Sequence, residues 1–253
     1  VELERLRQRL LRFFRLPPTG GPSAPRNKGI REANGEVVII LDDDIIPDPG
    51  LVAAHARYHR SHAAEHEAAV GELYVPEELR GDPMTIFHEF PYHEFRGKET
   101  LAYYYFWTCN VSIKRSFMMK HGMFDEKFLG YEDMICGYQL HRAGMVLRFC
   151  PEARGQHLHQ LKAAGVAAKG FWYGRWLYAL IQRLPEREML IRFGILSPKI
   201  GWGLLASRLV KRAAFQIVNN PLTRASLRLS GAEGDKRTRL SDFYYFLIFR
   251  GNM

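Results

Sequence analysis

The sequence predicts an α/β fold: a mostly parallel sheet flanked by helices, with a helical extension at the C-terminal end. Three observations carry that reading. Val37-Val38-Ile39-Ile40-Leu41 is a continuous apolar, largely β-branched run, the pattern of a strand covered on both faces. Segments of helical period alternate with strand-like runs between residues 25 and 150, the order that builds strand–helix–strand units. Beyond His159 the pattern is mostly helical, strongest over residues 172–182 and 201–218.

Taken in order, residues 2–14 set Leu3, Leu6, Leu10 and Phe14 at helical spacing and predict an amphipathic helix. The Pro- and Gly-rich segment 16–25 ends it as a loop. A helix over about 25–33 closes at Asn34-Gly35, and the strand 36–41 follows. Pro47-Asp48-Pro49-Gly50 then breaks the chain; Asp48 is suited to cap, and Pro49 to begin, a helix reaching to about 67. Residues 68–75 read as a strand, 84–99 fit either type, and 103–113 contain another strand. A helix over 131–143 stops at Gly144, and 145–149 form a strand.

Composition narrows the class. The 253 residues suffice for one sizeable domain plus an appendage. With 47% hydrophobic and 13% aromatic residues the chain can fill a core, which excludes an intrinsically disordered polypeptide. Cys109, Cys136 and Cys150 are odd in number and widely spaced, which predicts reduced thiols, not a disulfide framework or a zinc ribbon. The first residues are charged and no apolar run reaches the ~20 residues of a membrane span; the expectation is a cytoplasmic protein. Charge is uneven: residues 154–253 carry 17 Lys/Arg against 5 Asp/Glu, net +12, so with +9 for the whole chain residues 1–153 are net −3. The basic part also holds Phe171, Trp172, Tyr173, Trp176, Tyr178, Trp202 and Phe215. That mixture suits an anionic membrane surface ahead of a solvated basic face, and nucleic acid is not expected.

Chemistry is concentrated in acids. Asp42, Asp43 and Asp44 directly follow the apolar strand, and ligands in open α/β sheets bind just past such strand ends. Clustered carboxylates there repel one another unless a cation sits among them, and Mg2+ or Mn2+ suits such oxygen ligands alongside substrate phosphates. Glu132-Asp133 begin a predicted helix. Alone they are acids at a helix start; beside a metal site one of them can accept a proton. Of His157 and His159, spaced i,i+2, one is a candidate to complete a metal shell, although an isolated pair is more often a surface or core histidine. His55, His59, His62 and His66 share one helical face, read as a wet surface with no role. Asn110-Val111-Ser112 is formally a glycosylation acceptor, with a polar turn lining a pocket an equal reading. No G-x-G-x-x-G, Walker, G-x-S-x-G or H-E-x-x-H pattern occurs.

In order and spacing, several segments resemble the family 2 glycosyltransferases of the GT-A fold. They are Ala24-Pro25-Arg26-Asn27-Lys28-Gly29-Ile30-Arg31-Glu32-Ala33-Asn34-Gly35-Glu36, Ile39-Ile40-Leu41-Asp42-Asp43-Asp44-Ile45-Ile46-Pro47, Thr108-Cys109-Asn110-Val111-Ser112-Ile113-Lys114-Arg115, Gly122-Met123-Phe124-Asp125-Glu126, Gly130-Tyr131-Glu132-Asp133, Gly137-Tyr138-Gln139-Leu140-His141-Arg142-Ala143-Gly144 and Pro151-Glu152-Ala153-Arg154-Gly155-Gln156-His157. The resemblance implies a GT-A-like catalytic domain over 1–165 and a basic, aromatic-rich extension over 166–253. It implies inverting, metal-dependent transfer of a sugar from a UDP- or GDP-linked donor to a hydroxyl of a glycan or lipid-linked acceptor. Asp44 and His157 would hold Mn2+ or Mg2+, Asp42 would face the ribose with Asp43 beside it, and Arg26 and Asn27 would border the donor pocket. Asp133 would take the acceptor's proton, with Glu132 orienting it. The implied setting is cell-envelope polysaccharide synthesis at the inner face of the cell membrane. Family members begin with a strand–helix–strand unit, whereas residues 1–23 hold a helix and a loop; the expectation is that ~60–90 residues are lacking, well beyond loop variation. An uncovered sheet edge would then favour self-association. Two alternatives stay open: a truncated, non-catalytic relative acting as a membrane-associated or partner-binding module, and phosphoryl transfer or nuclease action at the Asp42–Asp44 cluster.

Overall fold

A computed structural model describes residues 11–80, 90–158, 176, 177 and 179–184 of the chain. Its elements are α1 (Ser23–Glu32), β1 (Val37–Leu41), β2 (Ile45–Pro47), α2 (Leu51–Ser61), β3 (Glu67–Tyr74), β4 (Asn110–Lys114), α3 (Arg115–His121), α4 (Glu132–Arg142) and β5 (Val146–His157), with short 3-10 turns at Glu77–Leu79, Tyr92–Phe95 and Tyr103–Tyr105. The α/β class is as expected. So are α1, β1, β3 and α4, within a few residues. Helix α2 ends earlier than its pattern suggested, at Ser61. Residues 11–14 carry no regular structure, against the expected end of a first helix. Residues 1–10, 81–89 and most of the C-terminal extension lie outside the described residues, so residues 2–10 of the expected helix 2–14, the expected helix 201–218 and the first part of 172–182 do too.

The five strands form one sheet in the order β1-β4-β3-β5-β2. Only β3–β5 is parallel; β1–β4, β3–β4 and β2–β5 are antiparallel. The expected mostly parallel sheet is therefore mixed. The apolar run of β1 reports cover on both faces and says nothing of direction. Val38 and Ile40 enter one core cluster, while Ile39 and Leu41 pack against the other, and a strand so covered reads apolar whichever way its neighbour runs.

Residues 42–44 carry the chain from β1 at one end of this strand order to β2 at the other. Four Cα steps span at most ~14 Å, whereas a flat five-stranded sheet measures ~19 Å between its outer strands. The sheet must therefore coil. Its irregularity lies at Gly71/Glu72, where the register jumps from Gly71↔Cys150 to Glu72↔Arg154. Pro151, Glu152 and Ala153 fall in that bulge, and a proline without an N–H is suited to it. Glycine is required at 71: a Cβ there would lie 2.2 Å from Asn110 Nδ2 and 2.3 Å from the Ala153 carbonyl oxygen. Sequence pattern ended β5 near Pro151 because a proline normally breaks a ladder. Here the ladder resumes after the bulge and delivers His157 to Ile45.

On one face of the sheet α1, α3 and α4 close the larger core through Ile30, Phe117, Met118, Cys136 and Leu140. Gly137 lets α4 lie against the Tyr103–Tyr105 turn, since a Cβ there would meet the Tyr103 carbonyl oxygen at 2.4 Å. Leu180 and Leu184 cover Ile135 and Tyr103. On the other face lies α2, with Leu51, Ala54 and Tyr58 over Ala69 and Ala153. Strand β4 alternates polar and apolar residues, yet all five are buried, because α2 supplies polar partners to Asn110 and Ser112 and Glu36 pairs with Lys114. His55 and His59 are therefore inside the protein, which corrects the wet-face reading. Asn110 Nδ2 donates to the Ala153 carbonyl (2.8 Å), so its Oδ1 accepts from His55 Nε2 (3.0 Å). His55 Nδ1 then accepts from the Ser112 hydroxyl (2.8 Å), whose oxygen accepts from His59 Nε2 (2.9 Å). The chain of bonds ends at His59 Nδ1, which has no partner among the described residues. Asn110 and Ser112 are wholly buried, so neither a glycan nor a pocket-lining turn fits them.

Candidate active site

The acids that follow β1 sit in the turn to β2, closed by a hydrogen bond from Ile45 N–H to the Asp42 carbonyl (3.3 Å). The acids that begin α4 lie 90 residues further along, and α1 joins the two. Arg26, on α1, donates through Nη2 to Asp42 Oδ1 (2.8 Å) and through Nη1 to Glu132 Oε1 (2.6 Å). Its side chain is 14% exposed and that of Glu132 12%. Short charge-assisted bonds of this kind are among the stronger polar contacts. Phe124 lies beneath the guanidinium, 5.6 Å from ring centre to the central carbon. The bridge was not legible beforehand: no local pattern links positions 106 residues apart.

Asp133 is the remaining acid. Burial raises its pKa above the usual aspartate range, and the neighbouring Glu132 carboxylate raises it further; Asp42 adds to the effect, while the Met134 N–H and Arg26 oppose it. Part of its surface nonetheless stays accessible. Its Oδ1 accepts the Met134 N–H at 2.8 Å. The chain enters α4 through Tyr131, whose φ of 58° is left-handed. A non-glycine residue held there is strained unless its surroundings fix it. Its side chain packs with the cluster of Ile135 and Leu180. Asp42, Glu132 and Asp133 thus share one locality around one cation. Such an acid is accessible and readily protonated near neutral pH, as a general base requires.

Asp44 and His157 also meet, with Oδ2 and Nε2 3.5 Å apart. Register brings them together: Ile45 pairs with His157, and Leu158 N–H donates to the Asp44 carbonyl (2.8 Å). The His157 ring stacks on Phe90 at 5.9 Å. Among the described residues no group of three or more His, Cys, Asp or Glu side chains is placed to hold a metal. Two donors at this spacing fit neighbouring positions on a divalent ion whose remaining ligands are phosphate oxygens and waters, the usual arrangement for Mg2+ and its relatives. Asp43 is exposed at the turn and joins neither cluster. Asn27 is buried, and its amide is committed to the loop before α4: it donates to the Phe124 carbonyl and Glu126 Oε1 and accepts the Phe124 N–H, each at 2.9 Å. It positions that loop. His159 lies outside the described residues.

The family model described as "Glycosyl transferase family 2" matches residues 2–127. The uncharacterized glycosyltransferase YfnE of Bacillus subtilis is 24% identical over 186 residues, covering 54% of this chain and 47% of that protein. The validoxylamine A glucosyltransferase of Streptomyces hygroscopicus subsp. jinggangensis is 26% identical over 160 residues, covering 53% and 38%. The chain thus spans less than half the length of these curated relatives. Among solved structures, it is similar to the mannosyltransferase PcManGT from Pyrobaculum calidifontis in complex with GDP-Man and Mn2+, at 16% identity and a TM-score of 0.49 over 91% of this chain and 65% of that one. It is also similar to S. aureus TarS 1-349 in complex with UDP-GlcNAc, at 16% identity and a TM-score of 0.45 over 72% and 59%.

Proposed function

The chain belongs to the family 2 glycosyltransferases, and from that premise we propose that it transfers a sugar from a nucleotide-sugar to a hydroxyl of a glycan or lipid-linked acceptor, with inversion. The observation that carries the reading is the Arg26 bridge, which joins the strand-end acid Asp42 to Glu132 while Asp133 stands desolvated beside them. The acceptor oxygen forms its bond to the anomeric carbon as the bond to the diphosphate breaks, and its proton passes to Asp133. The bonding electrons leave with the diphosphate, and one displacement inverts the centre. Glu132, held by Arg26, orients the acceptor side; Asp42 and Asp43 lie on the donor side. Asp44 and His157 would hold Mn2+ or Mg2+, which neutralises charge gathering on a leaving diphosphate. The imidazole ligand favours Mn2+ over Mg2+.

The wider setting belongs to the same proposal. A relative named as a glucosyltransferase supports a hexose donor. The net +12 of residues 154–253 supports contact with the anionic inner face of the cell membrane during envelope polysaccharide synthesis. Strand β1 ends the strand order among the described residues, and an open edge there would pair with a second copy. The deciding test is titration calorimetry with UDP- and GDP-sugars, with and without Mn2+. Asp44→Ala is expected to abolish the metal-dependent part of donor binding. Unchanged affinity in that variant, or no heat with any nucleotide in the parent protein, would overturn the assignment.

A further inference from the structure

A groove with a cavity of about 500 Å3 lies away from these acids, between the C-terminal half of α2 and the first half of β5. Its size is that of a small-molecule site. We propose that it is a second binding site, for a phosphorylated sugar. The proposal is independent of sugar transfer.

The groove is built from locked groups and free ones. Arg148 is locked: its Nε bonds Glu67 Oε2 (3.3 Å) and its Nη1 bonds the Glu99 carbonyl (2.8 Å). Glu67 is buried and also accepts the Tyr58 hydroxyl at 2.7 Å. The Tyr58 ring stacks on His62, centroids 4.3 Å apart and planes 14° apart, so the imidazole is held as well. None of these groups must reorganise on binding, which lowers the entropy cost. Arg57 and Lys98 stand on the rim. Neither makes an ion pair among the described residues; Lys98 only lies over the Tyr105 ring at 6.0 Å.

The mixture of charges selects the ligand class. Arg148 is already offset by Glu67 (3.3 Å) and the Glu99 carboxylate (3.6 Å), so the unpaired cations Arg57 and Lys98 are the groups that suit a phosphate. A groove for a bare anion would hold no carboxylates, yet Glu99 and Glu152 also line this one. Those oxygens are acceptors for hydroxyl protons. The His62 ring, stacked on buried Tyr58, adds a ring face against which a sugar can lie. Phosphate, hydroxyls and an apolar ring face together describe a sugar phosphate better than inorganic phosphate or a neutral sugar.

The test is calorimetry with glucose 6-phosphate, inorganic phosphate and glucose on the full chain in EDTA, which silences the Asp44–His157 pair. Glucose 6-phosphate is expected to saturate with a Kd of about 1 mM or below, inorganic phosphate to bind more weakly, and glucose not at all. Arg57→Glu and Lys98→Glu, both at exposed positions, are each expected to weaken binding by about tenfold. Asp44→Asn is expected to leave it unchanged. The proposal fails if the parent protein shows no saturable binding or if glucose or inorganic phosphate binds equally well. It fails too if the charge reversals have no effect or if Asp44→Asn removes the binding.

Discussion

Around Arg26, three carboxylates crowd one guanidinium; beneath α2, two imidazoles, a hydroxyl and an amide are joined without charge. The first cluster is electrostatically unfinished, with more negative charge than its cation can balance. The second is nearly complete, with a single lone pair left over on His59 Nδ1. Burial of polar groups thus raises the proton affinity of a carboxyl in one place and fixes a helix to a strand in the other. The two clusters also answer pH in opposite senses. Asp133 titrates above its unfolded value, so the folded state holds a proton that the unfolded chain releases, and acidification through that interval adds stability. His59 titrates at about 4, lowered by burial and then by Lys114 and His55. There the unfolded chain takes up the proton first, and acidification subtracts stability.

The largest effect is expected at the unfinished cluster. Asp133→Asn removes the proposed proton acceptor and one of three crowded charges together. Turnover is expected to fall by ~10²–10⁴, the range for loss of a general base. The melting temperature is expected to hold or rise, because like-charge repulsion is relieved. Turnover assays beside thermal melts check both halves. Full activity would move the base elsewhere, and a collapse of the fold would make Asp133 a structural acid like any other.

Much of this arrangement was legible in local pattern. The run from Val37 to Asp44 announced a covered strand and its acids, Gly144 announced the end of α4, and Glu132-Asp133 announced its start. What local pattern could not carry was pairing at a distance. The direction of β4 beside β1, the bulge at Gly71 and the reach of Arg26 to Glu132 depend on contacts between remote positions. Helix α3 starts directly from β4 with no turn residue between Lys114 and Arg115 to mark it. The histidine layer misled for a related reason. His55 and His59 stand among alanines on a helix of polar character, and only the side chains of β4, about 50 residues away, turn that face inward.

An intermediate effect is expected from titrating the two clusters against each other. Denaturant unfolding between pH 4 and 7 sums a loss from the histidine layer and a gain from the acid cluster. Well above the unfolded value of about 6.5 both imidazoles are neutral in folded and unfolded chains alike, and they impose no slope. From there down to about 4, the pKa of His59 in the fold, His59 alone withdraws on the order of 3 kcal/mol. His55, lowered chiefly by burial, acts in the same direction. His59→Gln is therefore expected to flatten the acid limb, and Asp133→Asn to steepen it by removing the opposing gain. Parallel curves for the parent and both variants would dissolve the distinction.

The smallest effect separates the clusters most cleanly. Ser112→Ala deletes the hydroxyl that serves both imidazoles, so His55 Nδ1 loses its donor and His59 Nε2 its acceptor. Neither ring can repair this by shifting its proton. His55 must keep Nε2–H for Asn110 Oδ1, and moving the His59 proton to Nδ1 places it where no acceptor stands. The variant is expected to lose ~1–3 kcal/mol of stability, the cost of unsatisfied buried polar groups. Metal-dependent donor binding is expected to be unchanged, since β4 presents Ser112 to α2 while the Arg26 bridge connects α1, the β1–β2 turn and α4. A loss of donor affinity that matched the loss of stability would mean that the neutral layer holds the acids in place. The charged cluster would then depend on the closed network beneath α2.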